Sequence, residues 1–156
     1  MKTNYLFSHR FKKIGWLLFI PSVVIGLLGL FDVLEIDILN VHVFGIKNDI
    51  FSKGGIGILE NNIADEIFGI LSIIGLLMIS FSKEKNEDEF ISRNRLESLV
   101  WGTYMNYLVL ILSMLFVYEF SFFYVMIFNM FTTLIIHISR FYYILYKNKK
   151  SLQDEK

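Results

Sequence analysis

The chain has 156 residues, of which 54% are hydrophobic and 17% aromatic, and its 15 Lys and Arg residues balance 15 Asp and Glu residues. This length fits one domain, but the hydrophobic share is too high for a soluble domain of this size, which must cover its core with polar residues. The aromatic content excludes a disordered chain, the lack of Cys excludes disulfides and thiolate metal sites, and zero net charge argues against direct nucleic-acid binding. The composition therefore indicates a membrane protein.

Four apolar segments are candidates for crossing a bilayer as helices, which takes roughly 17–25 residues each. They are residues 14–31, 63–82, 98–118 and 120–139. The second is uncharged only from residue 67 onwards, and it reaches full length only if residues 63–66 form its first turn. The sequence therefore predicts an all-α, polytopic membrane protein, with a single domain over residues 1–156 and four transmembrane helices.

The charged residues between these segments are distributed unevenly. Of the 15 Lys and Arg residues, only Lys47 and Lys53 fall on the side that holds the loop between the first two spans. The acidic residues on that side are Asp32, Glu35, Asp37, Asp49, Glu60, Asp65, Glu66 and Glu119. Because basic residues flank spans on the cytoplasmic side, both termini are predicted to be cytoplasmic.

The outer loop, residues 32–62, shows a strand-like pattern. Apolar and polar residues alternate over 34–38 and 41–43, Gly54 and Gly55 form a turn signal, and 56–59 fits a returning strand. A small β-hairpin is one interpretation. A short re-entrant or interfacial helix is the other, since an isolated hairpin is only marginally stable. Asn62 is predicted to cap the second span.

The inner loop is predicted to form a helical extension over residues 86–97 that continues into the third span. Asn86, with Glu89 three residues later, is typical of a helix N-cap. Glu89, Arg93 and Glu97 follow at intervals of four and favour ion pairs along one helix face. This extension is predicted to present a surface to a cytoplasmic protein partner. Its residues are Asp88, Glu89, Arg93 and Arg95.

The third and fourth spans each carry a stripe of small or polar residues. The stripe in span three is Arg95, Ser98, Gly102, Asn106 and Ser113, and that in span four is Asn129, Thr133, His137 and Arg140. The one-residue connection makes these spans antiparallel neighbours. At 1.5 Å per residue, Asn106 falls in depth between Asn129 and Thr133 and could hydrogen-bond to either. Asn106, Asn129 and Thr133 are therefore predicted to make interhelix polar contacts.

A second polar group is predicted at the inner boundary, where Glu97, His137 and Arg140 fall at similar heights. His137 is interpreted as a boundary side chain bonded to a neighbour, with a proton-sensing role and a ligand role as alternatives. It is the only imidazole near the helices, so a His-based metal site lacks partners. No metal and no cofactor are predicted.

The sequence lacks the motifs that several kinds of transport and catalysis require. No ionisable residue falls in the middle of any span, although ion-coupled transporters usually carry one. The chain contains no Walker-type glycine loop, zinc-protease His pair or GxSxG nucleophile elbow. No catalytic residue is therefore assigned, and enzymatic activity is not expected. Glycine and serine faces in the spans fit packing inside the bundle or between copies, which leaves a homo-oligomer open.

Two stretches support a resemblance. Residues 82–89 (SKEKNEDE) with 95–99 (RLESL), and residues 129–132 (NMFT), resemble a group of uncharacterised small four-helix bacterial membrane proteins. The layout covers most of the chain, whereas the specific similarity is confined to the inner loop and the last two spans. The resemblance implies a multi-pass protein of the bacterial inner (plasma) membrane, and it implies no activity.

The favoured function is that of a non-enzymatic interaction or regulatory protein that lies in the lipid bilayer and contacts a cytoplasmic partner through the 86–98 helix. A small sensor or transport accessory protein, responding through the outer loop or through His137, is the first alternative. A lipid-modifying membrane enzyme with Glu97, His137 and Arg140 as its polar centre is the second. Each of the three functions requires a different spatial arrangement of the residues named for it.

Overall fold

The computed structural model of the chain describes residues 6–30, 40–47 and 55–154. The described residues form four helices and one two-stranded sheet. These are α1 (His9–Leu30), β1 (Asn40–Lys47), β2 (Gly55–Asn62), α2 (Ala64–Ser80), α3 (Glu89–Phe116) and α4 (Phe120–Asp154). The chain divides into a terminal unit, which comprises Met1–Leu17 and Ile73–Lys156, and a central unit, Leu18–Ser72.

Three helices in the described part of the chain, α1, α3 and α4, are long and apolar enough to cross a membrane. The fold is therefore predominantly helical, as predicted, and consistent with a membrane protein. The helix that corresponds to the second predicted span, α2, has 17 residues. At 1.5 Å per residue it rises about 25 Å, which is less than the ~30 Å hydrocarbon core of a typical bilayer.

The predicted hairpin is present in the central unit. Strands β1 and β2 pair antiparallel, with Val43 opposite Leu59 and Gly45 opposite Gly57. Segments 41–43 and 56–59 lie within these strands, whereas segment 34–38 and Gly54 fall outside the described residues. Over the paired residues, the helical alternative for the outer loop is therefore wrong.

The hairpin leads directly into α2. The Asn62 side chain accepts a hydrogen bond of 3.0 Å from the N–H of Ala64, as its predicted capping role requires. Asp65 and Glu66 follow in the first turn, where the helix dipole favours negative charge. The start of α2 is thus fixed by polar residues that the sequence places next to one another.

The start of α3 differs from the prediction. The helix begins at Glu89, and its N-cap is Asp88, whose carboxylate accepts a hydrogen bond of 2.7 Å from the N–H of Ile91. Residues 83–88 are not helical, so the predicted cap at Asn86 is wrong. Asp88 is two residues closer to the apolar run, and it caps the shorter helix with the same kind of hydrogen bond that Asn86 would have made to a longer one.

A short turn joins α3 to α4. The N–H of Val117 donates to the Ser113 carbonyl over 2.8 Å and ends α3. Glu119 then takes a positive φ of 59°, in the left-handed region that reverses the chain. The two helices consequently pack side by side in the terminal unit, as the one-residue connection predicts.

A second close approach in the terminal unit joins α1 to α2. A Cβ atom built on Gly15 would lie 2.8 Å from the carbonyl oxygen of Gly75 and 2.9 Å from Ile79 Cγ1. No side chain fits at these distances, so glycine is required for this helix contact. Residue 15 thus sets how closely the two helices approach.

Candidate functional site

The buried face of α3 carries polar residues. Asn94, Arg95, Ser98, Gly102 and Asn106 are buried there. A Cβ on Gly102 would lie 3.2 Å from the backbone nitrogen of His137, so this residue lets α3 approach the α4 backbone closely. The polar stripe of span three is therefore a helix-packing face, except for Ser113, which is half-buried and bonds to the Val109 carbonyl of its own helix.

Arg95 is held by several contacts on this face. It is 6% exposed. Its Nη1 and Nη2 atoms donate to the two carboxylate oxygens of Glu87 over 2.6 and 3.1 Å, and Nη2 also donates to the Ser82 carbonyl over 3.2 Å. The guanidinium lies 5.2 Å from the ring centroid of Phe141. A bidentate pair of this kind fixes both side chains and the loop that carries Glu87.

A second ion pair adjoins the first. Lys12 Nζ donates to both carboxylate oxygens of Glu84, over 2.7 and 3.0 Å, and lies 4.5 Å from the ring centroid of Tyr142. The N–H of Glu84 donates to Glu87 over 2.8 Å and so links the two pairs. Lys12, Glu84, Glu87 and Arg95 are called the boundary network below.

The environment of Glu87 keeps it charged. Partial burial raises the pKa of its carboxyl, but the hydrogen bonds from Arg95 and from the Glu84 N–H outweigh that effect. The pKa is therefore lowered from its ordinary value of 4.5. At neutral pH Glu87 is an anion, and the pair with Arg95 persists.

The N-terminal segment is tied to the same loop. The N–H of Phe7 donates to the Phe81 carbonyl and the N–H of Lys83 donates to the Phe7 carbonyl, both over 2.9 Å, which makes a parallel bridge. His9 Nδ1 donates to the Lys83 carbonyl over 3.0 Å. The sequence carries no sign of this pairing, because one bridge is too short to produce an alternating pattern.

His137 lies fully enclosed in the terminal unit. Its imidazole lies against the rings of Phe81 and Phe141, at centroid distances of 6.0 and 6.3 Å, and it is 0% exposed. Backbone groups of Ser80 and Ser98 are near the ring. Neither ring nitrogen, however, has a partner with hydrogen-bond geometry among the described residues.

The predicted boundary cluster of Glu97, His137 and Arg140 does not form one cleft. Glu97 is exposed and accepts a hydrogen bond of 2.9 Å from Arg93. The Arg140 guanidinium lies 4.6 Å from the ring centroid of the exposed Trp101. His137 is enclosed by contrast, so no surface brings the three side chains together. The sequence prediction compared only the positions of these residues along the helix axes, which are similar. The side chains differ in their direction around those axes.

One predicted interhelix contact is present. Asn129 Nδ2 donates to Asn106 Oδ1 over 3.1 Å and joins α4 to α3. Of the two partners that depth allowed for Asn106, the structure selects Asn129. Thr133 is half-buried one turn away.

Three of the four residues of the predicted partner surface are exposed in the structure. Asp88, Glu89 and Arg93 are exposed, with the Asp88 carboxylate engaged as the cap of α3. Arg95 is buried, and its assignment to this surface is wrong. It lies on the opposite side of α3 from Arg93, because two residues of an α-helix turn the chain by about 200°.

The described residues hold no group of three or more His, Asp or Glu side chains that could bind a metal ion. Comparisons with protein-family models, with curated proteins and with solved structures return no match. The site consists of a buried polar interior and an exposed charged face at the start of α3.

Proposed function

We propose that this chain is a non-enzymatic interaction protein of the bacterial plasma membrane, which binds a cytoplasmic protein partner through the start of α3. The contact face consists of Glu89, Arg93, Leu96 and Glu97, which share one side of the helix and are all exposed. The observation that carries the proposal is the exposure of the Arg93–Glu97 ion pair, whose side chains are 80% and 54% exposed.

The two ion pairs near the start of α3 differ in burial, and this difference supports the proposed contact face. The Arg95 and Glu87 charges satisfy each other inside the terminal unit, whereas the Arg93–Glu97 pair lies at the surface beside the exposed Leu96. Arg is enriched in protein interfaces, and polar groups form the interface rim. The lipid-modifying alternative required Glu97, His137 and Arg140 to meet in one accessible cleft. Their separation removes its support, and we do not propose it.

The contacts of α2 support a fourth span. In the central unit, a Cβ on Gly29, near the end of α1, would lie 3.1 Å from Asp65 in the first turn of α2. In the terminal unit, the N–H of Phe7, just before α1, donates to the carbonyl of Phe81, just after α2. The two ends of α2 thus meet the two ends of a candidate span. We infer that α2 crosses the membrane together with residues 63 and 81–82, with both termini cytoplasmic by the positive-inside rule.

Exchange of charges within the contact face tests the proposal. The double variant Arg93→Glu with Glu97→Arg keeps the ion pair, its spacing and the net charge, but it inverts the pattern that a partner meets. We expect the tagged protein, purified in mild detergent after crosslinking in cells, to lose a specific cytoplasmic partner.

The matched control is Lys150→Glu with Asp154→Lys, an exchange over the same spacing near the end of α4. The control is expected to keep the partner. Equal recovery of the partner by wild type and the Arg93–Glu97 exchange would contradict the proposed face, as would the absence of any partner specific to wild type.

A further inference from the structure

Four buried polar atoms lie without a hydrogen-bond partner among the described residues. They are Ser80 Oγ, Arg95 Nε, His137 Nδ1 and His137 Nε2. The three residues are 3%, 6% and 0% exposed, and they come from α2, α3 and α4. Because most buried polar atoms in proteins are hydrogen-bonded, a concentration of such atoms requires an explanation.

The three residues are linked by shared aromatic neighbours. The Phe141 ring lies against both Arg95 and His137, at 5.2 Å from the guanidinium and 6.3 Å from the imidazole centroid. The ring of Phe81, the chain neighbour of Ser80, lies 6.0 Å from the imidazole centroid. All of these residues belong to the terminal unit.

The chemistry of the cluster defines what it can bind. Arg95 Nε only donates, the Ser80 hydroxyl both donates and accepts, and a neutral imidazole donates at one nitrogen and accepts at the other. The matching ligand must therefore both accept and donate. A metal cation is excluded by the guanidinium. An anion is disfavoured, because Glu87 already compensates the charge of Arg95 with a bidentate pair.

We propose that Ser80, Arg95 and His137 form a buried water-binding site. One water molecule makes about three hydrogen bonds in a protein interior, enough for Ser80 Oγ, Arg95 Nε and one of the two His137 ring nitrogens. Through this water, His137 joins the boundary network, so α2, α3 and α4 share one set of hydrogen bonds. The site is independent of the partner face proposed above, since all three side chains lie in the interior.

The sign of a stability change distinguishes a hydrated cluster from a dry one. With a bridging water, Ser80→Ala removes a partner of that water and lowers the thermal midpoint in detergent. In a dry cluster the same substitution removes an unsatisfied hydroxyl and raises the midpoint. Ser22→Ala is the control, because the buried Ser22 hydroxyl has a known partner, the Leu18 carbonyl at 2.7 Å.

A measurement on the wild-type chain tests the site without any variant. In protein labelled with ¹⁵N and ¹³C at His and placed in lipid nanodiscs, we expect transfer of magnetisation from a long-lived water to the His137 ring. This signal, together with a lowered midpoint in Ser80→Ala, supports the proposal. An absent signal or a raised midpoint overturns it. A wild-type midpoint that rises with chloride but not with gluconate, and loses this response in Ser80→Ala, also overturns it in favour of an anion.

Discussion

Arg95 shows how one residue can connect separate parts of the chain. Its guanidinium contacts the Glu87 carboxylate, the Ser82 carbonyl and the Phe141 ring, which come from the inner loop, the segment just after α2, and α4. Burial of an ion pair carries a desolvation cost that only good geometry offsets. Here the geometry is bidentate, so the pair holds the loop that carries Glu87 against α3.

Loss of Arg95 is therefore expected to be costly. Arg95→Met keeps a long apolar side chain but leaves the Glu87 carboxylate, which is 22% exposed, without its cationic partner. We expect a loss of about 3 kcal/mol in the free energy of unfolding, since breaking a buried pair leaves an uncompensated charge. Equilibrium unfolding in mixed micelles measures this change.

Arg93→Met is the matched control, two residues away on the exposed side of the same helix. Its pair with Glu97 is solvent-exposed, so we expect a loss of no more than about 0.5 kcal/mol. Removal of both buried charges, in Arg95→Met with Glu87→Met, is expected to restore most of the stability. Equal effects of Arg95→Met and Arg93→Met would show that the buried pair does not hold the loop.

The burial of Arg95 was only half predictable from the sequence. The spacing of Arg95, Ser98, Gly102 and Asn106 places them on one helix face, and that face is buried as the pattern indicates. The charge of Arg95, however, favoured an exposed position. Its buried position depends on Glu87, and the loop conformation that brings Glu87 to Arg95 leaves no periodic signal in the sequence.

At the scale of elements, close helix contacts depend on single glycines. Gly15 of α1 meets the backbone of Gly75 in α2, and Gly102 of α3 meets the backbone of His137 in α4. Packing in membranes relies on such approaches because lipid provides no hydrophobic drive between helices. By helix propensity both residues count as weak positions. The sequence pattern placed Gly102 on a packing stripe, whereas the role of Gly15 is visible only in the packed structure.

Substitution of Gly15 by alanine tests this dependence. The new Cβ would meet the Gly75 carbonyl oxygen at 2.8 Å, which forces the helices apart. We expect a loss of unfolding free energy of about 1–3 kcal/mol, as in overpacked cores, despite the higher helix propensity of alanine. The measurement is the thermal midpoint in detergent and the unfolding free energy in mixed micelles.

Gly69→Ala supplies the opposite case in α2. A Cβ at this position has open space, so the substitution is expected to be neutral or to stabilise the helix by up to about 1 kcal/mol. If Gly15→Ala were as stable as Gly69→Ala, the contact between α1 and α2 would tolerate a wider separation than the structure shows.

Sequence patterns correctly predicted the features that depend on residues close together along the chain. The apolar runs, the alternating strands and the Asn62 cap each depend on residues that are near one another along the chain. The start of α3 was misplaced because Asn86 and Asp88 both have side chains that suit an N-cap. The bridge between Phe7 and Ser82 was missed because it joins residues far apart in sequence through backbone atoms alone.

At the scale of the whole molecule, the number of crossings decides the side on which each end lies. With four spans, the two ends of the chain share a side, and the hairpin lies opposite. If α2 did not cross, α1, α3 and α4 would put the ends on opposite sides, and residue 85 would share a side with the hairpin. The bridge between Phe7 and the segment just after α2 favours four spans, because it holds residues 7 and 82 together.

Because the chain has no Cys, single-cysteine labelling can count the crossings without background. The exposed positions Ser8, Asn40, Lys85 and Lys149 report on the start, the hairpin, the inner loop and the end of the chain. With a membrane-impermeant maleimide, we expect Asn40→Cys to react in spheroplasts and the other three variants to react only in inverted vesicles. Reaction of Lys85→Cys together with Asn40→Cys in spheroplasts would instead show that α2 does not cross, since the chain would then stay outside between the first and third helices.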